Sequence, residues 1–400
     1  MPRVAEVPEQ LIVALEPYRK LFGVPAFRHL QTYVGGLILS NNRTVEGINR
    51  IFIQRKHPSS LNRFVTAGIW SAEQVNRARL DDLKVSGELQ GKGWLVLDDT
   101  LTHKTGKCIE ATGIFKDHCT GQYVLGHTIV TAVFVKQDGT CYPLDFRVYL
   151  KEDYCRTKNI PFKTKYEFAK ELVELAVSLG LEIEAVLFDN WYASKEFVNF
   201  LQEKPLSWVT RLKSDRNIKI AGRYVAIRDF SATLPRQAFK LVMVGETAYW
   251  VFSKAVDLKG VGQVRIVISY DNQELEGEPA YFATDRIQWE SKRILTTYSR
   301  RARTEGFYRD TKQNLGLEAY QLRDLWAIKR HWCLVILAYS LLERDLWGIT
   351  VKPKKKSSPT LGERIGAITR TVFAGLVRWI VTMANQGESD DRIVLLAFGR

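Results

Sequence analysis

Four hundred residues, 46% of them apolar, exceed one ordinary domain and suffice for a sizeable core, which excludes global disorder and sets the expectation at two or three domains. The 58 Lys and Arg against 44 Asp and Glu leave a net charge of +14, which favours a polyanionic partner through counterion release, nucleic acid above all. The five cysteines form no C-x-x-C pair and the six His no H-E-x-x-H, so reduced thiols are expected and a zinc hydrolase is not.

The N-terminus MPRVAEVPEQ lacks the layout of a signal peptide, and no apolar run approaches the roughly 18 residues that span a bilayer; a cytoplasmic protein without a membrane partner is expected. Residues 1–90 read as short helices. Apolar residues from Gln10 to Phe22 and from Phe27 to Leu39 recur at helical spacing, Gly23 and Pro25 interrupt them, and Ser71 to Gln74 resembles a capping box opening the helix Val75 to Leu83. Over residues 1–92, 13 Lys and Arg against 8 Asp and Glu leave a surplus of five positive charges. Arg43, Arg50, Arg55 and Lys56 fall in one short stretch that suits a phosphate track, or equally an ordinary solvated face. The expectation is an all-α N-terminal domain that binds DNA.

From Gly93 the pattern changes to strand. Trp94 to Leu97 is an apolar run ending in Asp98-Asp99-Thr100; an acidic pair there is costly without a nearby positive charge such as a metal, although acids also cap turns. Gln122 to Lys136 and Cys141 to Leu150, joined through Asp138-Gly139, predict a hairpin. Tyr166 to Leu179 has helical spacing and stops at Gly180. Ile183 to Phe188 predicts a further strand, ending in Asp189-Asn190-Trp191-Tyr192, before a helix from Ser194 and the strand Ser207 to Leu212. Residues 214–285 are β-rich again, with strands at Phe239 to Val244, Thr247 to Ser253 and Val264 to Tyr270. Leu325 to Leu342 predicts a long apolar helix, the Lys352 to Pro359 stretch a basic linker, and Leu361 to Ala384 a helix in the C-terminal segment 351–400.

The stretch YSRRARTEGFYRDTK, Tyr298 to Lys312, sets acids among cations. Taken as one helix at about 100° per residue, it places Tyr298, Arg301, Glu305 and Lys312 on one narrow face, with Arg309 close to the Tyr298 direction. A solvated ion-pair stripe has the same spacing. The order Tyr298, Arg301, Glu305, Lys312, with two, three and six intervening residues, resembles the Y-R-E-K signature of DDE transposases encoded by bacterial insertion sequences. Three strands, a helix, a strand, a helix and a strand likewise resemble the RNase H-like fold of that family, here as an α/β core over residues 91–213 and 286–350 interrupted by the insertion 214–285.

The resemblance implies a DNA transposase whose Asp98, Asp189 and Glu305 bind two Mg²⁺ or Mn²⁺ ions for in-line attack on a phosphodiester, hard cations that prefer oxygen ligands. The separations, 91 residues from Asp98 to Asp189 and 116 from Asp189 to Glu305, suit a triad completed after a large insertion. The family has one aspartate at the first strand end and this chain has two. Asp98 is favoured because Asp98-x-Thr100 resembles the family pattern, and Asp99 is the alternative. Arg309, close to the Tyr298 direction on the helix, is expected from its position to join the phosphate contacts that the resemblance implies for Tyr298, Arg301 and Lys312. The resemblance further implies that a Trp of the insertion stacks on a flipped base. Trp250 is the candidate, a buried sheet Trp the competing reading. Double-stranded DNA is the implied partner and a homodimer on paired ends the implied assembly. A metal-dependent nuclease of the same fold and a catalytically inactive DNA-binding derivative are the alternatives.

Overall fold

The computed structural model describes residues 3–54, 57–106, 108–117, 120–344 and 359–399; Arg55, Lys56, Cys119 and the basic stretch Lys352 to Ser358 lie outside the described residues. The chain opens with five helices: α1 (Glu9–Leu15), α2 (Val24–Leu39), α3 (Val45–Arg50), α4 (Pro58–Thr66) and α5 (Ala72–Val85). The first predicted helix is shorter than expected. Pro17, which lacks an amide hydrogen, sits at the start of a 3₁₀ turn, Glu16–Leu21, that takes over from α1.

Then follow β1 (Lys92–His103), β2 (Gly113–Lys116), the hairpin β3 (Tyr123–Lys136) and β4 (Cys141–Tyr149), α6 (Glu152–Lys158), α7 (Lys165–Ser178), β5 (Glu182–Phe188), α8 (Lys195–Glu203) and β6 (Trp208–Leu212). The hairpin turns at Gly139, whose φ of +87° suits a residue without a Cβ. The strands lie in the order β4-β3-β1-β5-β6, with β1 antiparallel to β3 and parallel to β5. The segment after β6 contributes β7 (Asn217–Ile220), β8 (Arg223–Ala226), α9 (Ile227–Ala232), β9 (Lys240–Val244), β10 (Thr247–Leu258), β11 (Gly262–Tyr270) and β12 (Ala280–Thr284). These strands continue the same sheet, because β12 pairs antiparallel with β6 and carries β11 and β10 outward, giving 12 strands among the described residues.

The last helices are α10 (Ser291–Ser299), α11 (Ala302–Asn314), α12 (Leu325–Glu343), α13 (Leu361–Asn385) and α14 (Asp390–Phe398). Alternation along β1 divides two cores: Trp94 and Val96 join one with α2, α4 and α12, whereas Leu95 and Leu97 join the other with α7 and α8. The N-terminal helices are bound to α12 by polar anchors as well. The buried Arg330 guanidinium donates to the carbonyls of Val65, Gly68 and Trp70, and buried Arg79 to Ser340 Oγ and the Leu144 carbonyl. Contrary to the sequence expectation, α12 and α13 are each long and apolar enough, by length and composition, to cross a membrane. Helix α12 is apolar all round because it runs through the core, while α13 buries one stripe, including Ile368 and Val372, and exposes Val377 and Val381.

Candidate active site

The apolar run before Asp98 predicts that the strand ends there, yet β1 continues to His103, paired with β3 throughout. What ends is its pairing with β5, at Val96 opposite Leu187. Beyond that point the two parallel strands part, and Asp98 on β1 and Asp189 just past the end of β5 sit at the mouth of the gap. Crevices at the carboxyl ends of parallel strands are a favoured place for ligands.

Strand alternation sends the two neighbouring aspartates to opposite faces. Asp98 lies on the α11 side, where its Oδ1 meets Arg301 Nη2 at 2.8 Å and accepts the Asp99 backbone N–H at 3.0 Å. Asp99 lies on the α7 side, held by Lys165 Nζ at 2.7 Å and the Tyr192 hydroxyl at 3.2 Å. Burial pushes the Asp98 carboxyl up to about 7, against the pull of Arg301 and with the help of the Asp99 and Asp189 charges. Burial works against the Arg301 charge too, but Asp98, with Tyr298, Asp189 and Glu305, more than offsets it and holds the guanidinium above its ordinary value.

The stretch Tyr298–Lys312 is two helices, not one. Backbone N–H groups of Arg300, Arg301, Arg303 and Thr304 bond to carbonyls three residues back, a 3₁₀ tightening that ends α10 and starts α11. The extra twist means that the four signature residues do not form the single stripe expected of one straight helix. Arg301 turns inward, only 16% exposed, and its Nη1 reaches Glu305 Oε1 at 3.2 Å, so one guanidinium joins Asp98 to Glu305, which is itself 64% exposed. Tyr298 is half-buried, its ring edge-on to Phe282 at 5.0 Å, and desolvation raises its hydroxyl to about 12. Lys312 Nζ lies one strand segment away, donating to the Leu101 carbonyl and pairing with Glu318 Oε1, both at 2.7 Å. Arg309 is exposed on α11, and Trp250 is half-buried in β10 between Tyr270 and Leu241 on its neighbouring strands.

A sequence model described as a DDE superfamily endonuclease matches residues 17–228, and one described as a transposase DDE domain matches residues 164–341. The chain belongs to the DDE transposase superfamily. No curated protein matches it. The first match contains Asp98 and Asp189 and the second Asp189 and Glu305. DDE domains act on DNA as transposase-type nucleases and generally use divalent metal ions.

Among the described residues no three His, Cys, Asp or Glu side chains converge closely enough to hold a metal. The donor set nonetheless fits one in chemistry. Asp98 and Asp189 offer hard oxygen ligands at the strand gap, and Asp98, buried, already holds one cation, Arg301. Three buried polar atoms at this spot, the Tyr298 hydroxyl, Arg301 Nε and Thr304 Oγ1, find no hydrogen-bond partner among the described residues. Sequence reasoning missed Lys165 and Tyr192, which hold Asp99, and the buried Tyr308, which bonds Thr131 Oγ1 at 2.5 Å beneath the aspartates. Only Tyr192 carried a signal, as part of the aromatic pair following Asp189.

Proposed function

We propose that this DDE enzyme is a transposase of the Y-R-E-K group that binds the ends of an insertion sequence, cuts them and joins them to target DNA. The observation that supports this most is the bridge made by Arg301, which links Asp98 at the mouth of the β1–β5 gap to Glu305 on α11, with Asp189 alongside. Asp98, Asp189 and Glu305 are the residues to hold Mg²⁺ or Mn²⁺. Bound there as two ions, the metal supplies activation of the attacking oxygen and stabilisation of the leaving one.

The chain's own groups do the rest. Arg301, fixed between two carboxylates, keeps Glu305 aimed at the aspartates and carries positive charge to the scissile phosphate. Asp99, turned to the other face and neutralised by Lys165, is a supporting group and not a ligand. Arg309 and the basic helices of residues 1–90, treated as a DNA-binding unit beside a catalytic core of residues 91–213 and 286–350, track phosphates along the duplex. Pairing two ends calls for a homodimer.

The test uses purified protein, Mg²⁺ and a plasmid carrying this reading frame with its flanking DNA. Release of the segment and its joining to a second plasmid are expected. Cleavage without joining selects a nuclease, and duplex binding without cleavage an inactive derivative.

A further inference from the structure

Strand β6 runs through the interior of the sheet, between β5 and β12, and every one of its residues but Arg211 is buried. Arg211 is exposed. Strand pairing fixes where it stands. Val96 of β1 lies opposite Leu187 of β5, and Leu187 opposite Val209 of β6, all three on the face that packs against α12. Two residues further along each strand, on that same face, come Asp98, Asp189 and Arg211. The Thr210 hydroxyl, 3.1 Å from the Asp189 carbonyl, keeps β6 beside that aspartate past the last β5 pair. On its other side Arg211 is paired with Phe282, whose ring meets Tyr298.

The face of an interior strand is ordinarily covered by a second layer. Val209 is fully covered, so the sheet opens just where Arg211 and the two aspartates stand. The Arg211 guanidinium forms no ion pair or hydrogen bond among the described residues, whereas Arg301 is held by Asp98 and Glu305. The Tyr298 hydroxyl feels the positive charges of Arg301 and Arg211 and the negative charges of Asp189 and Asp98, so all four reach one spot. A free guanidinium in an open crevice suits an anion that accepts two parallel N–H donors, as a phosphate does. One strand spacing, about 4.8 Å, separates Arg211 from Asp189, so the phosphate in its reach is an immediate neighbour of the one at the aspartates.

From this we infer that Arg211 is a further substrate contact: its guanidinium holds a phosphate of the cut strand directly beside the scissile one, on the β6 side of Asp189. The inference rests on the reading of the aspartate site as a DNA-cleaving centre. It assigns a phosphate contact to a residue outside the Tyr298–Lys312 stretch.

Cleavage with Mg²⁺ of duplexes carrying the element's own ends tests it, with a neutral methylphosphonate in place of one or the other phosphate flanking the scissile one. On unmodified DNA Arg211→Ala should cut about ten- to hundred-fold more slowly than wild type, the range expected for one lost charge-assisted contact, with an unchanged melting temperature. At one of the two positions the neutral linkage should slow wild type by a similar factor and Arg211→Ala no further. Arg211→Lys, which keeps the charge without the fork, should fall between them and respond to the same linkage. If Arg211→Ala does not fold, Arg211→Gln, which keeps most of the stem, replaces it with the same expectation. A variant that cuts unmodified DNA at the wild-type rate, or neutral linkages that slow variant and wild type equally at both positions, overturns the contact alone, provided wild type cuts the unmodified DNA. A wild type that does not cut it overturns the active-site reading as well.

Discussion

Replacing Asp98 with Asn keeps the shape of the side chain and removes its titration, so it isolates what a buried acid does to stability. Burial raises the Asp98 carboxyl from 3.8 to about 7. An acid with a folded pKa above its unfolded one holds more protons in the native state, so stability falls as pH rises between the two values. A shift of about three units corresponds to a loss of about 4 kcal/mol across the whole window. Between about pH 5.5 and about pH 8 the loss is about 2 kcal/mol. Urea unfolding of wild type and Asp98→Asn in EDTA measures it, because other titrating groups cancel in the difference. The variant should gain about 2 kcal/mol relative to wild type over that pH step. A difference that does not change with pH means that the 2.8 Å pair with Arg301 keeps Asp98 ionised throughout and that burial does not raise its carboxyl.

Asp99→Ala should leave a measurable Mg²⁺-dependent cleavage rate where Asp98→Ala leaves none; the opposite pattern assigns the ligand role to Asp99. Arg309→Ala should lower the slope of log binding constant against log salt by about one while leaving the melting temperature unchanged, and an unaltered slope places Arg309 off the DNA. Lys312→Ala should destabilise the fold by about 1–2 kcal/mol, seen in urea unfolding, because it strips the Leu101 carbonyl and Glu318 of their partner. Unchanged stability would assign Lys312 to the DNA instead.

The order of strands and helices around Asp98 and Asp189 was legible because each element has its own local pattern: the apolar run at Trp94, the Asp138-Gly139 turn, the Gly180 stop. The extension of β1 to His103 was not, since an apolar run reports burial on both faces and that burial ends where β5 departs, not where the strand does. The 3₁₀ turn at Arg300–Thr304 has no Gly or Pro to announce it, and it alters which of the four signature residues meet. The joining of the outer strands to the core through β12 escaped notice because Ala280–Thr284 is short and follows a polar loop. Lys165 and Tyr308 reach the aspartates from 66 and 209 residues away along the chain, contacts that no local pattern encodes.

Asp98, Asp189 and Glu305 are proposed to carry metal-dependent cleavage together. Asp98→Asn, Asp189→Asn and Glu305→Gln each keep shape and hydrogen bonding while removing one metal-binding charge. Measured side by side with Mg²⁺ on DNA carrying the element's own ends, all three should bind that DNA as wild type does and fail to cut it. A wild-type cleavage rate in any one of them contradicts the triad.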